Sequence, residues 1–443
     1  MTATHSTWRT TNVLRQLKGS IGYRAGAMVL SFLAVPIMIG VLGTEQFGVW
    51  STLLSMMSWA VFFDLGIGNG MRNKVAAALA DDNKTEARLY IASGYTMIGL
   101  VVVMIWVTLT AASNFVPWQF VFNTTAVSEN ELRQTVQFTA FFVLLNFWIG
   151  LVAMLFSAVQ QTSFVELGRL ITNFLVLIFV FALAKTEASS IRSMAFLYGI
   201  ALVFANLLLS ALFFKPRRDL RPTIHLDLQH VRPLLTVGSQ FFLIQLAVLV
   251  IFTTDKILIA QIFGAEYVTE YDVIFKIFSL VTISHGLILA PLWSAYTDAF
   301  RKDELVWINT MLRRQIKIFG GLTVAVLILT LFLKPIVALW VGDSIQVNYS
   351  LGIAMALFCL VSAWNNIFAT VLNGVSKIKI SVYVSAIAML CNIPLSIALA
   401  KFTSLGTASV VIGTIFSLLP GVLLGPVQVA KIVSRKDRGL WSR

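Results

Sequence analysis

Among the ionisable side chains inside long apolar runs of this 443-residue sequence, seven are the candidates for chemistry: Arg24, Asp64, Glu166, Arg169, Asp255, Lys256 and Lys276. An ionisable group in a hydrocarbon layer costs at least about 2.5–3.5 kcal/mol on insertion scales, so each needs a compensating role. Fixed cations facing a wet cavity offset the desolvation of an anion, which singles out Arg24, Lys256 and Lys276. Carboxylates at that depth either lock a conformation by pairing or take part in ion coupling, and Asp64 and Asp255 are the candidates. Each has a plainer reading too. Arg24 could snorkel to the headgroups, and Lys276 could pair with Asp272 at i, i+4. Asp255 and Lys256 point about 100° apart on a helix and cannot pair face to face, which leaves Lys276 as a partner for Asp255. Glu166 and Arg169, three apart, read as a local pair. His285 stands alone in its run and reads as a hydrogen-bonded histidine.

The elements that must hold these groups follow from composition. Hydrophobic residues make up 58% of the chain and charged ones 12%, half the roughly 25% of a soluble domain, and the mean hydropathy is +0.85. A soluble fold has no way to cover that much apolar side chain. A helix crossing the hydrocarbon needs about 20 apolar residues. That ruler predicts twelve spans: 20–42, 46–69, 89–113, 134–158, 164–184, 193–214, 234–262, 269–296, 314–333, 349–374, 378–400 and 405–431. The runs are continuous rather than alternating, so strands are not expected to span. Asp64 opens the stretch DLGIGNG (64–70); its glycines follow a membrane helix rather than a strand, so they read as helix packing or termination, not a dinucleotide loop.

With the N-terminus cytoplasmic, the inside segments hold 24 Lys and Arg and the outside loops 5. Both termini are therefore expected inside, and the net charge of +13 is a topology signal rather than a sign of nucleic-acid binding. About eighteen polar residues precede the first apolar run, and no cleavable leader is expected. Cys359 and Cys391 both lie in apolar runs and the four histidines are scattered, so no disulfide, metal site or cofactor is expected. The chain also reads as a duplication. LGTE (42–45) resembles FGAE (263–266), and the same offset of 221 carries Asp82 to Asp303. The predicted plan is an N-lobe over 1–214, a basic cytoplasmic linker over 215–232 and a C-lobe over 233–443. Six spans per half would relate the lobes as a parallel pseudo-repeat.

The stretch 42–99 carries a shape with a relative: Gly and an acidic residue, then FGVW, FDLGIGNG closing the second helix, RNK, and a charged loop. It resembles the bacterial polysaccharide transporters, the O-antigen and repeat-unit flippases of the multidrug/oligosaccharidyl-lipid/polysaccharide (MOP) superfamily. LWVGD (339–343) is a looser match. The resemblance implies an all-α membrane protein of two six-helix lobes around a cavity that opens alternately to each side. Its implied substrate is an undecaprenyl-diphosphate-linked oligosaccharide, moved from the cytoplasmic to the periplasmic leaflet of the inner membrane. Arg24, Lys256 and Lys276 would then meet the diphosphate, with H+ or Na+ as a coupling ion at Asp255. A polysaccharide polymerase and chain-length machinery would act downstream. No enzymatic step is expected, since no nucleotide loop occurs and no outside loop exceeds about 20 residues. Two rivals remain open: a cation-coupled multidrug exporter of the same superfamily, and a membrane polysaccharide polymerase or ligase.

Overall fold

A lipid layer offers no partner to backbone N–H and C=O groups, so an apolar run must satisfy them within itself, as a helix. The computed structural model describes the backbone of residues 2–59, 67–186, 190–342, 345–375 and 377–442. Side chains are described from residue 19 onward within those ranges, except 80, 228, 235–245, 247, 248, 251, 252, 290, 291, 294, 298 and 301. Every regular element among these residues is helical.

Among the described residues, ten stretches are long and apolar enough to cross a membrane, against twelve predicted over the whole chain. The first two predicted spans both enter the stretch Gly19–Met57, where two helical segments of α1 (Thr2–Met57) meet at a kink at Gly43 (φ 75°, ψ 171°). Residues 60–66, and Asp64 with them, lie outside the described residues. The predicted seventh span falls in α9 (Leu228–Phe263), where most side chains of the first half lie outside the description. Two predicted loop segments are helical. Arg72 and Lys74 sit on α2 (Ile67–Ala80), and Arg313, Arg314 and Lys317 sit on α11 (Leu305–Leu331).

The chain divides into two compact units, Met1–Gln245 and Leu246–Arg443. The division falls inside α9, not in the basic linker. Unit one continues with α3 (Lys84–Ser113), α4 (Trp118–Phe122), α5 (Glu129–Ile149), α6 (Val152–Ala158), α7 (Ser163–Leu183) and α8 (Ile191–Phe214). Helix α7 packs on α1, α8 on α5, and α3 on α2 and α5. Its core gathers Met71, Ile91, Ile98, Leu155, Phe156 and Phe213. Residues 215–227 close over that core. Leu220 is buried in it, the His225 N–H donates to Thr96 Oγ1 at 3.1 Å, and Lys84 pairs with Asp219 at 3.2 Å. The hydrogen bond from Lys84 holds the Asp219 carboxyl below the ordinary carboxylate range.

Unit two holds the rest of α9, then α10 (Ala265–Arg301), α11, α12 (Leu333–Val341), α13 (Tyr349–Gly374), α14 (Lys379–Phe402) and α15 (Ala408–Val433). Helix α13 lies against α10, α11 and α15, and α15 lies along α14. Their core includes Tyr296, Ile308, Ile367, Val371 and Val429.

The 221-residue offset reappears in backbone geometry. Gly43 and Gly264 both take positive φ, and so do Asp82 and Asp303, at 54° and 60°. Each Asp ends its helix with the same closure. Asn83 N–H donates to Ala78 O at 2.9 Å, and Glu304 N–H to Ala299 O at 2.8 Å. These are the 6→1 bonds of a Schellman turn, in which a left-handed residue satisfies the last carbonyls; aspartate tolerates that conformation better than most side chains.

Candidate functional site

Two adjacent residues on α9 and two on α10 make paired rungs in unit two. Staggered by about 100° per residue, Asp255 and Lys256 face different neighbours. Asp255, 3% exposed, accepts the Tyr271 hydroxyl at 3.1 Å and the Thr414 hydroxyl at 2.9 Å. Lys256 pairs with Asp272. The pair is largely shielded, the two side chains being 20% and 12% exposed.

Lys276, one turn beyond Asp272, lies within electrostatic reach of Asp272 and Lys256, yet forms no hydrogen bond or ion pair through its ammonium among the described residues. The predicted partners are thus exchanged. Asp272 belongs to Lys256 rather than to Lys276, and Asp255 meets hydroxyls rather than Lys276. The group of Lys256, Asp272 and Lys276 carries one cation in excess.

Behind Asp255 the polar network continues into α14 and α15. Asn392 donates from Nδ2 to Thr414 Oγ1 at 2.9 Å, and its Oδ1 lies 3.1 Å from the Thr254 hydroxyl. Ser396 donates to Val410 O at 3.1 Å. All of Thr254, Asn392, Ser396 and Thr414 are buried. Two features bring the helices this close. Pro394 on α14 cannot donate a backbone hydrogen bond, and Gly413 on α15 leaves room where a Cβ would meet Ser396 Oγ at 2.5 Å and its Cα at 2.6 Å. Gly413→Ala should therefore force the two helices apart, at about 1–3 kcal/mol by analogy with overpacked cores. Thermal unfolding of the purified protein reads this as a lowered midpoint, and an unchanged midpoint would show that this contact does not set the spacing.

The other predicted residues stand elsewhere. Arg24 lies on α1 in unit one, exposed, with no ion pair among the described residues; one turn on, Asn173 of α7 donates to Ala27 O at 2.8 Å. Glu166 and Arg169 form the expected local pair at 3.1 Å. His285 is buried, and its Nε2 has no partner among the described residues. Asn206 and Asn146 bond each other at 2.6 Å and tie α8 to α5. The network residues Thr254, Tyr271, Asn392 and Thr414 were not among the predicted site residues. The only trace they leave in sequence is a polar side chain in an apolar run.

Residues 21–294, more than half of the chain, match the family of polysaccharide biosynthesis proteins. The chain belongs to that family. Among curated relatives, a Salmonella typhimurium protein named for O-antigen transport is 23% identical over 411 residues, covering 88% of this chain and 90% of its own. A Yersinia pseudotuberculosis protein named for O-antigen export is 21% identical over 365 residues, 81% of this chain and 82% of its own. Among solved structures, an inward-facing multidrug-resistance transporter of the MATE family in the MOP superfamily has a TM-score of 0.78 at 16% identity, over 93% of this chain and 96% of its own. A MOP superfamily transporter from Pyrococcus furiosus has a TM-score of 0.62 at 14% identity, over 97% and 96%. At such identity the likeness is one of fold. This member of the polysaccharide biosynthesis family is an all-α, multi-pass membrane protein with the two-lobe MOP fold.

Proposed function

We propose that the protein moves an undecaprenyl-diphosphate-linked oligosaccharide repeat unit from the cytoplasmic to the periplasmic leaflet of a bacterial inner membrane, by alternating access and without chemical change to the substrate. The family and the relatives named for O-antigen transport favour this cargo. The observation that carries the reading is Lys276, the surplus cation beside the Lys256–Asp272 pair. A diphosphate crossing an apolar layer loses its hydration, and a fixed ammonium offsets that loss. Lys256 turns from Asp272 to the diphosphate when substrate arrives, and Arg24 is the corresponding cation of unit one. Asp255 sits between the hydroxyl oxygens of Tyr271 and Thr414, a neighbourhood that suits H+ or Na+, and is the coupling residue. Both termini face the cytoplasm, as the distribution of Lys and Arg requires. The product passes to a polysaccharide polymerase and its chain-length machinery.

A cation-coupled multidrug exporter has the same fold, but unpaired lysine at the substrate site repels an organic cation. Deleting the chain and probing lipid-linked glycans with a membrane-impermeant reagent tests the proposal. Complete repeat units should accumulate facing the cytoplasm, and Lys276→Gln should reproduce much of that accumulation. If units still reach the outer leaflet but stay unpolymerised, the protein acts as a polymerase or ligase. Altered drug sensitivity with untouched glycans identifies an exporter.

A further inference from the structure

We infer that the hollow between α13, α14 and α15 is a binding site for an uncharged, hydroxyl-bearing sugar ring of the transported glycan, an assignment that rests on the proposed function. The hollow measures about 180 Å³, well above the roughly 15 Å³ that one water needs. Its polar wall is neutral: Ser362, Asn365, Asn366, Ser381, Ser385 and Gln428, with no Lys, Arg, His, Asp or Glu among the lining residues. A phosphate would lack a countercharge there, and a lipid chain would strand the amides.

Several of these groups await a partner. Ser362 Oγ and Gln428 Oε1 are buried without one among the described residues, their residues being 7% and 0% exposed. Gln428 is held fast by its own amide nitrogen, which donates to Lys377 O at 3.1 Å and Trp441 O at 3.4 Å, so its oxygen stays free to accept. The side-chain amides of Asn365 and Asn366 hold no hydrogen bond among the described residues. Buried polar atoms in a folded protein are almost always satisfied, and two such orphans, with the partly buried Asn365 and the exposed Asn366 beside them, point to a ligand.

The apolar part of the lining suits the C–H groups of a sugar ring. Phe368 lines the hollow and is braced by Trp364, 5.0 Å away between ring centroids. Trp364 is itself fixed by donating to Val422 O at 3.3 Å. That carbonyl lies four residues before Pro426, which has no N–H to offer it. Gly421 and Gly425 line the hollow. A Cβ on Gly421 would meet Asn365 Oδ1 at 3.1 Å, so the missing side chain leaves that amide oxygen accessible. Neutral donors and acceptors around one aromatic face are the recognition chemistry of a pyranose: oriented hydrogen bonds for the hydroxyls and an apolar wall for the ring.

The test uses the full chain in lipid nanodiscs, saturation-transfer NMR, and a panel of methyl glycosides of neutral hexoses, 6-deoxyhexoses and N-acetylhexosamines. At least one glycoside should bind the native protein in the millimolar range. Its affinity should fall about tenfold in Asn365→Leu and in Ser362→Ala, the scale of one lost hydrogen bond. The thermal midpoint of both variants should hold or rise, because the deleted groups have no protein partner to lose. Binding of undecaprenyl diphosphate should be unchanged. If no glycoside binds the native protein, or one binds both variants as well as the native chain, the hollow holds only water and the inference is overturned. If binding behaves as expected but no lipid-linked glycan changes leaflet in the deletion assay, the sugar site stands and the flippase reading fails.

Discussion

Asp255→Asn should abolish the response of transport to an imposed cation gradient while leaving the protein folded. The side chains are nearly the same shape, so the surroundings of a residue 3% exposed need not repack. The amide keeps one acceptor for Tyr271 or Thr414, and its NH2 can donate to Thr414 Oγ1, which already accepts from Asn392. The stability change is then that of rearranging one or two hydrogen bonds, about 1–3 kcal/mol. On the proposed coupling role, what is lost is the negative charge that would take up a proton or sodium ion in one conformation and release it in the other. Coupling between two sites typically amounts to about 1–3 kcal/mol, or roughly 5- to 150-fold in the coupled equilibrium. Gradient-driven movement in proteoliposomes should fall over that range, with gradient-independent exchange of lipid-linked glycan retained. A variant carrying Asp255→Asn that still responds to proton or sodium gradients removes Asp255 from the coupling role and leaves it a structural acceptor.

The helices were legible from sequence and the site only in outline. Apolar length is a one-dimensional property, so the helices of both units follow from it. Positive φ is also a local demand, so the Gly43/Gly264 and Asp82/Asp303 correspondences were visible as residue types before their geometry was known. The dip in hydropathy between the first two predicted spans coincides with the kink at Gly43, where two helical segments meet. The predicted charges Asp255, Lys256 and Lys276 do gather in unit two, because burying an ion is costly enough to stand out in a composition this apolar. Their partners did not stand out. Tyr271 and Thr414 lie 16 and 159 residues from Asp255. Hydroxyls are common in membrane helices, where they usually bond the carbonyl four residues back, as Thr253, Thr323 and Thr330 do. Nothing local marks Thr414 as different. The exchange of Asp272 from Lys276 to Lys256 has the same origin: i, i+4 spacing offers a pair on one helix, and only tertiary placement reveals the competitor on α9.

That competition sets an order among the charge deletions. Removing Asp272 leaves two lysines side by side in a largely shielded site, each desolvated without an anion. Asp272→Leu should therefore be the most damaging single change, at about 3–5 kcal/mol, the range for stripping one partner from a buried pair. Lys256→Met should cost clearly less, because Lys276 already stands at i, i+4 to Asp272 and can take the vacated carboxylate. Lys276→Gln should cost least, since no ion pair is broken among the described residues. The double change Lys256→Met with Asp272→Leu should recover most of the loss from Asp272→Leu alone, because it replaces an ion pair by apolar contact in an apolar setting. Thermal unfolding of purified variants in one detergent measures all four. If Lys256→Met and Asp272→Leu are equally destabilising, Lys276 cannot replace Lys256, and its ammonium is held away from Asp272 by something stronger than their attraction. If the predicted order holds, the same rearrangement is available to the native protein. On the proposed function, an arriving diphosphate would draw Lys256 off Asp272 while Lys276 swings in to neutralise the carboxylate, so that the substrate would gain a cation without leaving a bare anion in the membrane.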